Sequence, residues 1–165
     1  VKSNRLHLAL AILLALGACG FQPLYGPRGT TEVPGEFAAI EIQPIQDRLG
    51  QELHNNLLDL LNPRGEPTAP KYELVVTLSE NREELAVQKT AFATRANLTM
   101  TASFSLRESK TKKPVFGGSS VAISGYDVLR SDFATLAAEK DARSRALLQV
   151  AEDIRTRLAL YFRRQ

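Results

Sequence analysis

From Phe37 onwards the apolar residues of the chain follow two periods. The first is two. In RANLTMTASFSLR, Ala96, Leu98, Met100, Ala102, Phe104 and Leu106 share one side, and Arg95, Asn97, Thr99, Thr101, Ser103, Ser105 and Arg107 share the other. Successive side chains of a strand point to opposite faces, so one face of this strand belongs to a core and the other to water or a polar partner. KYELVVTLSE alternates too, with Tyr72, Leu74, Val76 and Leu78 against Glu73, Thr77 and Ser79. PVFGGSSVAISGY reads as another strand, whose Gly117-Gly118 pair marks a bulge or a close contact. FAAIEIQPIQ reads as a short strand with Ala38, Ile40 and Ile42 on one face, and Pro44 places it at an edge or ends it.

The second period is three to four. In RLGQELHNNLLDLL, Leu49, Leu53, Leu57, Leu60 and Leu61 form one stripe; Asp47 is a candidate cap and Asn62-Pro63 a stop. FATLAAEKDARSRALLQVAEDIRTRLALYFRR reads as a long helix capped by Ser131 or Asp132, with a stripe of Leu147, Ala151, Ile154, Leu158 and Tyr161. Arg163 and Arg164 at its end suit the helix dipole. Residues 64–70 are loop and ESKTKKP is a turn. NREELAVQKTAFAT either extends its two neighbouring strands into a hairpin arm or is a loop. The order β-α-β-β-β-α predicts an α+β fold over residues 37–165: a two-layer sandwich in which two amphipathic helices cover one face of a four-stranded, mainly antiparallel sheet. The first strand leads into a helix, so turn-joined pairing does not place it.

The first 36 residues obey neither period. VKSNRLH carries Lys2 and Arg5 and no acid; Leu8 to Leu16 is an unbroken run of nine apolar residues; Leu16-Gly17-Ala18 leads into Cys19, the only cysteine. A positive segment, a short apolar run and small residues make a secretory signal peptide. The run is too short for a membrane-spanning helix, which needs about 20 residues. Its Leu-Gly-Ala-Cys ending resembles the bacterial lipobox. That resemblance implies cleavage of residues 1–18 and diacylglyceryl and N-acyl groups, such as palmitate, on Cys19. Two or more fatty chains hold a protein at a membrane where one does so only marginally. Gly20 stands where many inner-membrane lipoproteins carry Asp, which favours the outer membrane. Pro23, Gly26, Pro27, Gly29, Pro34 and Gly35 make residues 19–36 a lipidated tether.

Composition narrows the function by exclusion. The 21 basic and 18 acidic residues become nineteen against 18 once Lys2 and Arg5 are cleaved away, which is no footprint for nucleic acid. His54 is the one histidine beyond the signal segment, and no Gly-x-Ser-x-Gly, Gly-x-Gly-x-x-Gly or phosphate-binding loop is present. Glu80, Glu83 and Glu84 read as a solvated face ahead of a general acid/base pair. The expectation is a non-enzyme without metal or cofactor. Arg82, Lys89 and Arg95 flank the possible arm, and Lys110, Lys112 and Lys113 crowd the turn. Such residues either keep a turn soluble or meet phosphate groups.

SGYDVLRSDFATLAAEKDARSRALLQVAEDIRTRLALYF together with ACGFQPLYG resembles the LptE family of lipopolysaccharide-assembly lipoproteins, in a form that looks alphaproteobacterial. The likeness covers the chain from the lipobox onwards; Gln22-Pro23-Leu24-Tyr25 departs from the enterobacterial form. The resemblance implies a lipid-anchored protein on the periplasmic face of the outer membrane. It implies a 1:1 plug in the LptD β-barrel, help with assembly of that barrel, and delivery of lipopolysaccharide to the outer leaflet. It also implies lipopolysaccharide binding through basic residues, for which Arg95, Lys110, Lys112 and Lys113 are the candidates by charge and position. The alternatives are a tether or pilotin-type component of another envelope complex, and a periplasmic enzyme with an unrecognised site.

Overall fold

The structure, a computed structural model, describes residues 33–85 and 94–165. The expected signal segment, Cys19 and all but the last four tether residues lie outside them. The described chain runs α1 (Val33–Phe37), β1 (Ile40–Ile42), α2 (Asp47–Leu61), β2 (Tyr72–Leu85), β3 (Thr94–Glu108), β4 (Pro114–Val128) and α3 (Asp132–Phe162). The four strands form one sheet in the order β1-β2-β3-β4. β2, β3 and β4 pair antiparallel, while β1 pairs parallel to β2, with Ile40 opposite Tyr72 and Ile42 opposite Leu74. The sheet is therefore mixed, because α2 carries the chain back over one face before β2 begins. β1 is an edge strand of three residues, and the helix α1 takes Phe37 from the expected strand and Val33 to Glu36 from the expected tether.

The core lies between the sheet and the two longer helices. Leu74, Leu98, Met100 and Leu106 from the strands meet Leu53 and Leu57 of α2 and Leu147, Val150, Ile154 and Leu158 of α3, all fully buried. Burying each such side chain contributes about 1.5–3 kcal/mol. The inward stripes match the sequence periods, with Leu49, Leu60, Tyr72, Leu78 and Tyr161 half-buried at the margins; Ala38, expected on the inward face of the first strand, is exposed in a turn. Ser131 caps α3, its hydroxyl accepting from the Ala134 amide at 3.4 Å. Asp47 does not cap α2. Gln46 holds that position without a side-chain hydrogen bond, and Asp47 is the first helical residue, with φ of 67°. Asn62 ends α2 and, buried, donates from Nδ2 to the Ile40 carbonyl at 2.9 Å, tying the helix to the edge strand.

The glycine pair in β4 marks close contact. A Cβ on Gly118 would stand 3.2 Å from the Phe104 ring, tighter than ordinary contact, so a larger residue would require that ring to shift. The register shift falls beside the pair, between Leu106 and Arg107 opposite Phe116 and Pro114. β2 and β3 are paired as far out as Leu85 opposite Arg95, so residues 81–85 and 94 belong to the two strands; the rest of the expected arm, residues 86–93, lies outside the described ones.

Candidate functional site

Both long helices sit on one side, so among the described residues no helix covers the other face of the sheet. Three rows cross it: Thr77, Ser103 and Ser119; Ser79, Thr101 and Val121; Asn81, Thr99 and Ile123. This face is hydroxyl-rich because the polar half of each alternation points outward. It offers hydrogen bonds across an area with few charges. Its charged residues sit at the two ends: Glu73 and Arg107 at one, Glu83, Arg95 and Asp127 at the other.

Where β3 turns into β4, basic residues from three separate elements converge. Phe162, at the end of α3, packs against Tyr72 and Phe37 with ring centroids 5.4 and 6.2 Å apart, and Tyr161 stacks on Phe116 at 4.8 Å. These aromatic contacts bring Arg163 and Arg164 to the end that holds Lys71, Lys110, Lys112 and Lys113. Lys71 accepts through its carbonyl from the Ser109 amide at 2.9 Å, so the start of β2 and the turn are joined directly. Lys110 and Lys71 share with Pro70, Tyr72 and Glu108 an open hollow of about 450 Å³. Lys112, in the left-handed region at φ of 57°, turns back to pair with Glu73. Lys71 pairs with Glu36 at 3.9 Å. No acid pairs with Lys110, Lys113, Arg163 or Arg164 among the described residues.

Of the four candidates from the sequence, the structure gathers Lys110, Lys112 and Lys113 and holds Arg95 apart. Arg95 lies near the far end of β3, about 40 Å away at the usual rise of a strand. Its guanidinium lies over Gly125 on the open face. Lys71, Arg163 and Arg164 are the members of the basic end that sequence reasoning did not group. Nothing local links them to the turn; the aromatic residues beside them are the signal in retrospect.

The acidic cluster is divided between the two faces of the sheet. Strand alternation sends Glu83 to the open face and Glu80 and Glu84 to the helix side. Glu80 accepts two hydrogen bonds from Arg143, both at 2.9 Å, and Arg143 also donates to Glu139. Arg82 pairs with Glu84 at 3.0 Å and Glu139 at 3.6 Å, and stands 5.8 Å from the Tyr126 ring centre. The bond to Glu80 raises the Arg143 pKa above its ordinary value. Glu80, Glu84 and Glu139 thus each face a guanidinium, which suits fastening α3 to the sheet rather than proton transfer. His54 is half-buried on α2 with Glu66 4.0 Å away, and Glu52 is bonded to Ser144, so no serine–histidine pair forms there. No metal-ligating cluster and no helix long and apolar enough to cross a membrane occur among the described residues.

Residues 37–158 match the family model LptE, lipopolysaccharide-assembly. The chain belongs to the LptE family. The match spans β1 to the last buried turn of α3, so it covers the layered domain that carries the open face. The chain is also 24% identical over 162 residues to the uncharacterized protein RP188 of Rickettsia prowazekii (strain Madrid E), covering 97% of this chain and all of that one. Among solved structures, a chain of Caulobacter crescentus CB15 described as a lipoprotein shares 24% identity at a TM-score of 0.69, over 81% of this chain and 97% of that one. The rare lipoprotein B from Shewanella oneidensis shares 14% identity at 0.56, over 74% and 93%. At these identities the likenesses are of fold.

Proposed function

We propose that this LptE-family protein is an outer-membrane lipoprotein, held by acyl groups on Cys19, that plugs an LptD-type β-barrel and helps pass lipopolysaccharide to the outer leaflet. The observation that carries the reading is the open, hydroxyl-rich sheet face. An antiparallel sheet can turn one face to water or to a polar partner, and this face, uncovered among the described residues, is polar enough for either. The lumen of a large outer-membrane barrel is polar as well, so the face is suited to lie against it. The basic end supplies the second half. Lys110, Lys113, Arg163 and Arg164 present charge suited to phosphate groups beside an aromatic cluster suited to an apolar neighbour. Neither feature requires catalysis, and the reading is of a non-enzyme.

The test is purification of the tagged protein from native outer membranes in mild detergent, with mass spectrometry of what accompanies it. A near-stoichiometric large β-barrel supports the plug; a secretion or pilus component in its place overturns it and favours the pilotin-type alternative. Lys110→Glu with Lys113→Glu should weaken retention of lipopolysaccharide without loss of fold, and Arg95→Glu reports separately on the far end. Cys19→Ser should leave an uncleaved, unlipidated precursor, which a gel shift and metabolic labelling with palmitate would show.

A further inference from the structure

Among the described residues the sheet has one long unpaired edge. β1 closes one side with three residues, but β4 presents fifteen on the other. Natural edges are blunted by charge, shortness or a covering element. From Pro114 to Tyr126 β4 carries no ionisable side chain except the phenol of Tyr126, and its open-face residues Val121 and Ile123 are 58% and 61% exposed. Arg145 of α3 guards this edge, reaching the Gly125 carbonyl at 3.4 Å. That carbonyl therefore faces away from β3. Backbone groups alternate in direction along an antiparallel strand, so those of Ser119, Val121 and Ile123 face outward with it.

The order of residues along this edge is nearly palindromic about Ala122. Place a second, antiparallel copy of β4 beside the first with Ala122 opposite Ala122. Val121 then stands opposite the second copy's Ile123, and Ser119 opposite its Gly125. Val115 stands opposite its Leu129, one residue beyond the strand; these two are 40% and 45% exposed. On the helix side Ser120 meets Ser124, Gly118 meets Tyr126, and Phe116 meets Val128. The four exposed large apolar residues of this edge and its end thus pair among themselves, and Asp127 falls opposite Gly117 rather than another charge. Aliphatic cross-strand pairs stabilise a ladder, and the outward-facing residues are the ones this register places in hydrogen-bonded pairs.

We propose that β4 is a self-association edge: two copies join through antiparallel β4 strands, with their two-fold axis at Ala122, into a continuous eight-stranded sheet. The partner that fits is a second copy of this chain, because the match is palindromic. The opposite edge is too short to continue the sheet, so the pairing closes at two and does not propagate. The dimer conceals the edge that would otherwise pair with any extended segment, and it leaves the hydroxyl-rich face open. The inference concerns the isolated protein and stands apart from the barrel reading.

Native mass spectrometry of the detergent-solubilised full chain tests it with two exposed-site variants, Val121→Lys and Ile123→Glu. The wild type should show a dimer. Each variant alone should lose it, because the homodimer places a charge against an aliphatic residue at both copies of the pair. An equal mixture should regain a dimer of heterodimer mass, since one lysine then faces one glutamate and the other pair remains valine against isoleucine. A monomeric wild type overturns the proposal. So does a dimer that survives either single variant, which would use another surface, and so does a mixture that stays monomeric. Circular dichroism on each variant separates loss of association from loss of fold, and recovery in the mixture cannot come from unfolded chains.

Discussion

Arg143→Met is the substitution whose consequence the structure fixes most closely. It keeps the length and the apolar stem of the side chain and removes the guanidinium. Glu80 then loses both of its hydrogen bonds at 2.9 Å, and Glu139 keeps only Arg82 at 3.6 Å. The three side chains are 27%, 21% and 11% exposed, so the site is neither dry nor freely solvated. Breaking a fully buried pair costs about 3–5 kcal/mol and losing an exposed one about 0–1 kcal/mol. The exposures place Arg143→Met between these, at about 2–3 kcal/mol, or about 10 °C in melting temperature for a domain of this size. Urea unfolding at neutral pH measures the first and calorimetry the second. Adding Glu80→Gln should recover part of the loss, because the stranded carboxylate is what costs. A loss under about 0.5 kcal/mol, or strictly additive single and double variants, would refute the argument that these charges act as one partly desolvated unit.

Other outcomes follow from the same structure. Leu98→Ala, at a fully buried position in the middle of β3, should cost about 3 kcal/mol by urea unfolding, because the surrounding strands and helices cannot close the cavity. Asn62→Ala removes the bond to the Ile40 carbonyl and should cost about 1–2 kcal/mol, with faster hydrogen exchange in β1 than in β3. Burial, and then Glu139, raise the Tyr126 pKa above 10.0. Its contribution to stability is therefore full below about pH 10 and is lost as pH rises through the folded value. Tyr126→Phe should flatten the alkaline end of a stability profile and leave neutral pH almost unchanged.

Much of this architecture was legible before any coordinates. The inward faces of β2, β3 and β4 and the stripes of α2 and α3 follow from spacing, because side-chain direction in a strand or helix is a local property. The Ser131 cap and the stop at Asn62-Pro63 are local for the same reason. The LptE resemblance rested on the tail and the stretch around Cys19, and the family match bears it out over residues 37–158. Asp47 is the exception: its type suits a cap, but the chain enters α2 one residue earlier, and a side-chain preference of about 1 kcal/mol yields to the packing of the turn.

Long-range pairing decided the rest. The parallel placement of β1 depends on α2 returning over the sheet, and the joining of Glu80 to Arg143 spans 63 residues, so no local window holds it. The same pairing splits one acidic run between two faces, separates Arg95 from the lysine turn by the length of β3, and delivers Arg163 and Arg164 beside Lys71. Which side of each element turns inward follows from backbone geometry, residue by residue, and so can be read along the chain. Which charges meet, and which face and edge of the described sheet are left without a neighbour, depend on elements that share no neighbourhood in the chain and emerge only when the chain has folded.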